Sequence, residues 1–355
     1  MLFSKSRSLV GLDLGSSCIK LVQLKEGGRG GGWKLENMGV LPLSPEAIVD
    51  GAIMDSGLVV DVIQNLFREN KVKGSEVALS LSGHSVIIKR VSLPTMNEEE
   101  LAESIQWEAE QYIPFDIQDV NIDYQILQST SQSTEGNMDV LLVAVKKSKI
   151  SDYTSVLNQA GKTPAVVDVD VFALQNAYEV NYPPEPDQTL ALVNIGASVT
   201  NIAILQGTNS VFWRDISIGG NQYTDAIQKE LNVSFEAAES LKRGQEGAGE
   251  NAEKLQQILK QVSQDVGGEV QKTLDFFKAT TAGEQVSKIV LSGGSSRIGG
   301  LQELLAERFG VPVEMFNPFQ SIEASSKQFP QERLQELAPD MAVAVGLALR
   351  KAGDK

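Results

Sequence analysis

Residues 9–24 read Leu-Val-Gly-Leu-Asp-Leu-Gly-Ser-Ser-Cys-Ile-Lys-Leu-Val-Gln-Leu. An apolar run broken by one carboxylate, Asp13, leads into Gly15, Ser16 and Ser17, and Ile19, Leu21 and Leu24 then resume a strand-like pattern. The stretch predicts strand, tight turn, strand. Small residues let a ligand approach the turn backbone, whose N–H groups can hold phosphate oxygens. An ordinary hairpin with Asp13 as a turn residue explains the stretch equally well on its own. A second copy shifts that balance. Residues 193–205, Val-Asn-Ile-Gly-Ala-Ser-Val-Thr-Asn-Ile-Ala-Ile-Leu, align at an offset of 181, with Asn194 on Asp13, Gly196 on Gly15, Ala197 on Ser16 and Ser198 on Ser17. Two such units half a chain apart predict two domains of one topology facing each other across a cleft. The period is too long for a solenoid.

A chain of 355 residues can bury a large core in two or more domains. Its net charge of −15 argues against non-specific binding of nucleic acid or anionic lipid through the whole surface. Cys18 is the sole cysteine, which excludes an internal disulfide and suits a reducing cytoplasm. With His84 the sole histidine, His/Cys zinc sites are excluded, and the Ser-Gly-His-Ser context makes His84 a hairpin-tip residue rather than a catalytic base. The N-terminal apolar run stops at Asp13, too short for a signal peptide, and no stretch reaches the ~18 apolar residues of a spanning helix.

Along the chain, the glycine run at 27–32 is followed by no helical pattern and reads as a flexible strand connection. A helix is expected over 57–70, then strands at 77–81 and 86–91. Residues 92–163 read as an inserted module. Asn97 and Glu100 form a capping-box start, Leu101, Ile105, Ala109 and Tyr112 make one apolar face, and Pro114 ends the helix. Trp107 lies off that stripe; packing against the parent domain is expected in preference to a partner contact. Strands at 120–127 and 140–145 flank a polar loop at 129–137, and a helix over 151–160 completes the module. Residues 165–179 run from strand into helix. Asp170 is expected to cap that helix, and Asp168 is left open between metal binding and structure. A Pro-rich linker at 182–186 separates the halves.

In the second half a strand at 211–218 ends in Gly219 and Gly220, whose missing side chains allow phosphate to approach the following helix, 222–231. Glu239 and Lys242, three apart on a helix over 235–246, read in isolation as a surface ion pair. A long amphipathic helix carries apolar residues from 255 to 277, with a bend expected at Gly267 and Gly268. Residues 289–301 form a buried strand, a Gly293-Gly294-Ser295-Ser296 turn and a helix; the two glycines suit a flat wall against a purine or ribose. The small-residue helix at 342–350 is expected to pack closely against another element.

This order of motifs resembles the actin/heat-shock chaperone/sugar-kinase superfamily. Residues 11–24 look like its first phosphate motif, 193–205 its second, 292–301 its adenosine motif, and 165–178 and 337–350 its two hinge helices. The module resembles subdomain 1C of FtsA. Within that branch the chain is most similar to the PilM family of type IV pilus assembly proteins, through Gly-Leu-Asp-Leu-Gly-Ser-Ser at 11–17, Trp-Glu-Ala-Glu-Gln-Tyr-Ile-Pro-Phe-Asp at 107–116, and the stretches 119–121 and 123–125. The resemblance implies an α/β, actin-like (ribonuclease H-like) fold. Domain I would comprise 1–91 and 164–186 with 337–355 packing back, the 1C module 92–163, and domain II 187–336.

The resemblance also implies ATP and Mg²⁺ in the cleft. Asp13 would hold the metal through water, as the one cleft carboxylate assigned to it. Gly15, Ser16, Ser17 and Lys20 would contact phosphate, with Asn194, Gly196, Thr200, Gly219 and Gly220 at the second phosphate turn. Glu239 and Lys242 would meet adenine or ribose, and Gly293, Gly294 and Ser295 the purine wall. The implied protein is cytoplasmic, held at the inner membrane by the N-terminal peptide of PilN, in contact with a pilus motor complex, and neither binds nucleic acid nor inserts in the membrane. Asn194 stands where the superfamily usually has Asp. Losing that charge removes about 4 kcal/mol of interaction per charge pair at ~4 Å, less through water, so binding with weak or negligible hydrolysis is expected. A sugar or acid kinase, or an FtsA-like filament former, are the alternatives.

Overall fold

The computed structural model describes residues 9–27, 31–127, 136–186, 188–245, 247–281 and 283–354. Residues 28–30 of the glycine-rich run and most of the polar loop, 129–135, lie outside the described residues. β1 (Val10–Leu14), β2 (Cys18–Glu26) and β3 (Trp33–Pro42) form an antiparallel meander. A short hairpin, β4 (Ile48–Val49) and β5 (Ala52–Ile53), precedes α1 (Ser56–Glu69). Asp55 caps α1, accepting from the Leu58 N–H at 3.0 Å. β6 (Glu76–Leu81) then lies parallel to β1.

The module follows: β7 (Val86–Pro94), α2 (Glu98–Glu110), β8 (Val120–Ile126) and β9 (Asn137–Lys146), with strand order β7-β9-β8. The capping box forms, with both Asn97–Glu100 bonds at 2.9 Å, and Leu101, Ile105 and Ala109 are buried as expected. Three expectations are corrected. β7 pairs with β9 along its whole length, so the module begins at Val86 and not at 92. α3 (Lys147–Gln159) leaves it; Tyr153, Val156 and Leu157 are buried with Val59, Ile63 and Leu66 of α1 in the first domain. An amphipathic stripe says which face of a helix is apolar, not which core receives it. Trp107 is 76% exposed and packs against nothing that buries it.

β10 (Thr163–Val169) and α4 (Asp170–Asn181) complete the first domain. The second opens with the meander β11 (Thr189–Ile195), β12 (Thr200–Gln206), β13 (Asn209–Ile216). It continues through α5 (Gly220–Leu231), α6 (Phe235–Lys242), α7 (Ala252–Thr280), β14 (Lys288–Ser292), α8 (Leu301–Phe309) and β15 (Val313–Met315). α7 runs unbroken through Gly267, where Leu305 and Arg308 approach too closely for a larger side chain to enter freely. The chain returns earlier than expected. β16 (Ile322–Glu323) pairs with β3 of the first domain, followed by α9 (Gln331–Leu337) and α10 (Ala342–Ala348).

The sheets, β10-β6-β1-β2-β3-β16 and β13-β12-β11-β14-β15, share one topology. In each, an antiparallel meander leads to two further strands, added parallel on the side of its first strand. Between them lies a shared core in which Leu174 and Ala177 of α4 and Ala344 and Val345 of α10 meet Leu24, Leu192 and Leu205. This sandwich joins the domains at their base and leaves the strand ends open as a cleft. Among the described residues, no helix is long and apolar enough to cross a membrane.

Candidate functional site

The repeat survives in atomic detail. The Gly15 N–H donates to the Cys18 carbonyl at 3.2 Å, and the Gly196 N–H to the Val199 carbonyl at 2.9 Å. A Cβ on either glycine would meet that same carbonyl, at 3.0 and 2.8 Å, which is why each turn needs glycine. The turns meet across the cleft through Ser16 Oγ and Ser198 Oγ, 2.8 Å apart. Beside them opens a cavity of about 520 Å³.

Strand register decides the chemistry of each turn. Asp13 lies opposite Lys20, and Asn194 lies opposite Asn201. Lys20 Nζ donates to Asp13 Oδ2 at 2.7 Å; Asn194 Nδ2 donates to Asn201 Oδ1 at 2.9 Å. Lys20 and Asn201 are themselves 181 residues apart, so the second half carries a neutral amide pair where the first carries an ion pair. The expectation that Asn194 merely lacks a charge is thereby refined, because its cationic partner is absent too. Burial works against the Lys20 ammonium, but the Asp13 charge more than offsets it and lifts the pKa above the ordinary lysine value.

A relay extends from the amide pair. Asn201 Nδ2 donates to Asp215 Oδ1 at 2.8 Å, and the Gly83 N–H donates to Asp215 Oδ2 at 2.6 Å. An ionised carboxylate only accepts, so Asp215 turns the Asn201 amide, which in turn orients Asn194. Ser292 Oγ donates to Asn194 Oδ1 at 3.2 Å. His84 stands beside this junction, its Nε2 2.8 Å from Ser217 Oγ, as an exposed inter-domain contact rather than a catalytic base.

The other expected residues divide. Ser17, Asn194, Gly294 and Ser295 line the cavity, as do Glu239 and Lys242. The last two are not a surface pair. Their side chains are only 15% and 9% exposed, and Lys242 also donates to Thr224 Oγ1 at 2.8 Å. Burial opposes the Glu239 charge, yet Lys242, Thr224 and Arg243 hold its pKa below the usual carboxylate value. Thr200, Gly219, Gly220 and Gly293 do not line the cavity. Thr200 is fully buried and donates to the Ile218 carbonyl at 2.7 Å. Gly219 backs onto the Gly196 and Ala197 carbonyls, and the Gly220 N–H donates to the Gly196 carbonyl at 2.9 Å. Gly293, at φ +86, has its missing Cβ 2.3 Å from the Ile195 carbonyl. Gly219 and Gly293 make room for neighbouring backbone and Gly220 for the Ser295 side chain, so they shape the turns from behind.

Asp13 is also not the only carboxylate of the cleft. Asp170 and Asp340 line the cavity with it, as does Lys149. Asp170 is the first residue of α4 and makes no capping bond; its Oδ1 accepts from Ser80 Oγ at 2.5 Å. Asp168, left open above, is buried and paired with Arg350 at 3.5 Å. Asp340 reaches Arg297 at 2.9 Å through Oδ2, while its buried Oδ1 has no hydrogen-bond partner among the described residues. Spacing could not have found these groups, because they come from elements far apart in sequence.

Burial, with the nearby Asp13 charge, pushes Asp170 up to about 6, although bonds from Ser80 and Ser82 oppose the rise. An unfolded Asp titrates near ~3.9. Below pH ~4 the group is protonated in both states. Between ~4 and ~6 the folded chain holds a proton the unfolded chain has lost, so stability falls as pH rises through that window and stays lower above it. Asp170→Asn is therefore expected to stabilise the nucleotide-free protein at pH 7.5 by up to ~3 kcal/mol, with the gain vanishing near pH 4. Urea unfolding at the two pH values tests this, and an equal gain at both would refute it.

Two matching sheets hinged at their base, with repeated glycine turns over a cleft, define the actin-like class. Three comparisons agree. A family described as "Type IV pilus assembly protein PilM" matches residues 11–352. The chain belongs to the PilM family of type IV pilus assembly proteins. It is similar to a solved structure described as "PilM-PilN type IV pilus biogenesis complex", at 30% identity and TM-score 0.88, covering 99% of this chain and 100% of that one. MreB5 of Spiroplasma citri, solved bound to ADP, shares the fold at 14% identity and TM-score 0.51, over 95% of this chain and 94% of its own. The cell division protein FtsA of Staphylococcus epidermidis is 24% identical over 206 residues, 52% of this chain and only 43% of FtsA.

Proposed function

We infer that this protein is an ATP-binding scaffold of type IV pilus assembly that works in the cytoplasm. It captures the N-terminal peptide of a PilN-type inner-membrane protein beside the β7-β9-β8 module and relays to a motor complex. The observation that carries the nucleotide reading is the pair of matching turns, Gly15 to Cys18 and Gly196 to Val199, facing one cavity with Asp13 at its edge. The partner reading rests on the similarity to the PilM-PilN complex over the whole chain.

Among the described residues, no cluster of three or more His, Cys, Asp or Glu side chains could hold a metal alone. Mg²⁺ needs no such cage, because it keeps several waters and binds through one or two carboxylates plus phosphates. Asp13 and Asp170 fit that requirement. When bound, the ion would neutralise polyphosphate charge. Ser16 and Ser17 would present backbone N–H groups to phosphate, which the missing side chains of Gly15 and Gly196 let close to the turns, and Glu239, Lys242 and Gly294 would border the nucleoside.

The Asn194–Asn201 amide pair offers the ion no second carboxylate, which supports binding with little hydrolysis. Asp170 favours the kinase or ATPase alternative, since a cleft carboxylate poised near neutral pH suits a general base. Mg-ATP titration with a phosphate-release assay separates the readings. Binding with turnover far below the 1–100 s⁻¹ typical of kinases is expected; turnover in that range, abolished by Asp170→Asn, would establish an enzyme.

For the peptide, excising 92–163 is the wrong test, because it removes α3 from the first core and is expected to unfold the domain. Replacing only 95–136 by a short linker keeps the β7–β9 pair and α3. That variant is expected to stay folded by circular dichroism and to lose a labelled PilN-type peptide. Retained affinity would rule out α2 and β8 as the docking surface.

A further inference from the structure

Two surface patches take no part in the site above. On α2, Trp107 is 76% exposed and flanked one turn either side by Glu103 and Glu110, both exposed. α2 carries six glutamates and no cation, and none of the six forms an ion pair among the described residues. The second patch is a shallow pocket of about 380 Å³ where α1 and α3 end, lined by Arg68, Lys71, Lys73, Lys162 and Phe67. It has four cations and no carboxylate, in a chain of net charge −15. None of the four is in an ion pair among the described residues. Lys162 Nζ lies 3.8 Å over the Phe67 ring, so the cationic face is already ordered on an aromatic floor.

We propose that the Trp107 face of α2 docks into the Arg68–Lys162 pocket of a second copy of this chain. The two patches are complementary in three respects. The pocket has room for one large side chain. Its cations suit an indole face, and its rim suits the two carboxylates beside that indole. Tryptophan is among the residue types enriched at interface hot spots, and Trp107 is left in solvent. The donor and acceptor surfaces differ, so the contact is heterologous, and successive copies add head to tail into a ring or an open chain. The shallow pocket makes the contact weak and reversible, and the exposed charges make it salt-sensitive.

Analytical ultracentrifugation of the full chain over a concentration series, at low and high salt, tests this. The expected result is a mass that rises with concentration and falls with salt. Trp107→Ala and the pair Lys71→Glu with Lys162→Glu should each weaken association about 30-fold, with unchanged circular dichroism. Combining Glu103→Lys and Glu110→Lys with the two lysine reversals should restore it, which a merely misfolded variant could not do. A wild-type chain that stays monomeric to its solubility limit overturns the proposal. So does association that ignores these substitutions. Trp107-dependent binding to anionic vesicles by a monomeric chain would overturn it in favour of a membrane surface.

Discussion

Valine in place of Gly346 is expected to leave little soluble, folded protein. A Cβ at this position would lie 1.7 Å from the Ala173 carbonyl oxygen and 2.8 Å from its Cα. Both belong to the backbone of α4, so no rotamer change relieves the clash. On the opposite side of α10, a Cβ on Gly11 would stand 2.2 Å from the Ala344 carbonyl. The helix is therefore held between α4 and β1 at backbone contact and cannot retreat from one without pressing on the other. Overpacking a core ordinarily costs about 1–3 kcal/mol. Here whole helices must separate, within the core that joins the two domains, and a total stability of roughly 5–15 kcal/mol leaves little margin. Gly346→Ala is the milder probe, expected to lower the urea midpoint sharply. Gly299→Ala is the control, since nothing lies within 4 Å of its would-be Cβ. A Gly346→Val protein that melts like wild type would show that α10 does not pack as described.

Asp13→Ala is expected to lose both Mg-ATP binding and stability, for separable reasons. The side chains of Asp13 and Lys20 are each 13% exposed and 2.7 Å apart. Removing one partner of a buried pair costs about 3–5 kcal/mol, mostly because the other charge is stranded. The residual exposure here lowers the expectation to about 2–3 kcal/mol. Asp13→Ala with Lys20→Met removes the stranded charge, and should recover stability to within about 1 kcal/mol. It should not recover nucleotide binding, because the carboxylate proposed to hold the metal water and the cation proposed to face phosphate are both gone. Urea unfolding and fluorescent-nucleotide titration of the same three proteins read the two effects apart. Nucleotide affinity restored by the double substitution would mean that Asp13 acts only by neutralising Lys20.

Backbone geometry accounts for what could be read in advance. A strand–Gly–small–small–strand run dictates a tight turn from local sterics alone, so both turns, and their relation by the 181-residue offset, were legible. The same offset applied to Lys20 would have revealed Asn201 and the change from ion pair to amide pair. Glycine misled elsewhere. At Gly219 and Gly293 the missing side chain does report a close approach, but what approaches is backbone of the adjoining turn, and at Gly220 it is the Ser295 side chain.

The sequence by itself determined two domains of one topology, the two turns, the capped acidic helix α2 and a last helix of small residues. Each follows from short-range rules of periodicity, capping and steric room that act within a dozen residues. Only the tertiary structure decided that α3 serves the first core, that Trp107 is left in solvent, and that Asp170 and Asp340 join Asp13 in the cleft. Those outcomes depend on which distant surfaces meet, and a side chain's pattern specifies that a face will be buried or charged without specifying its partner.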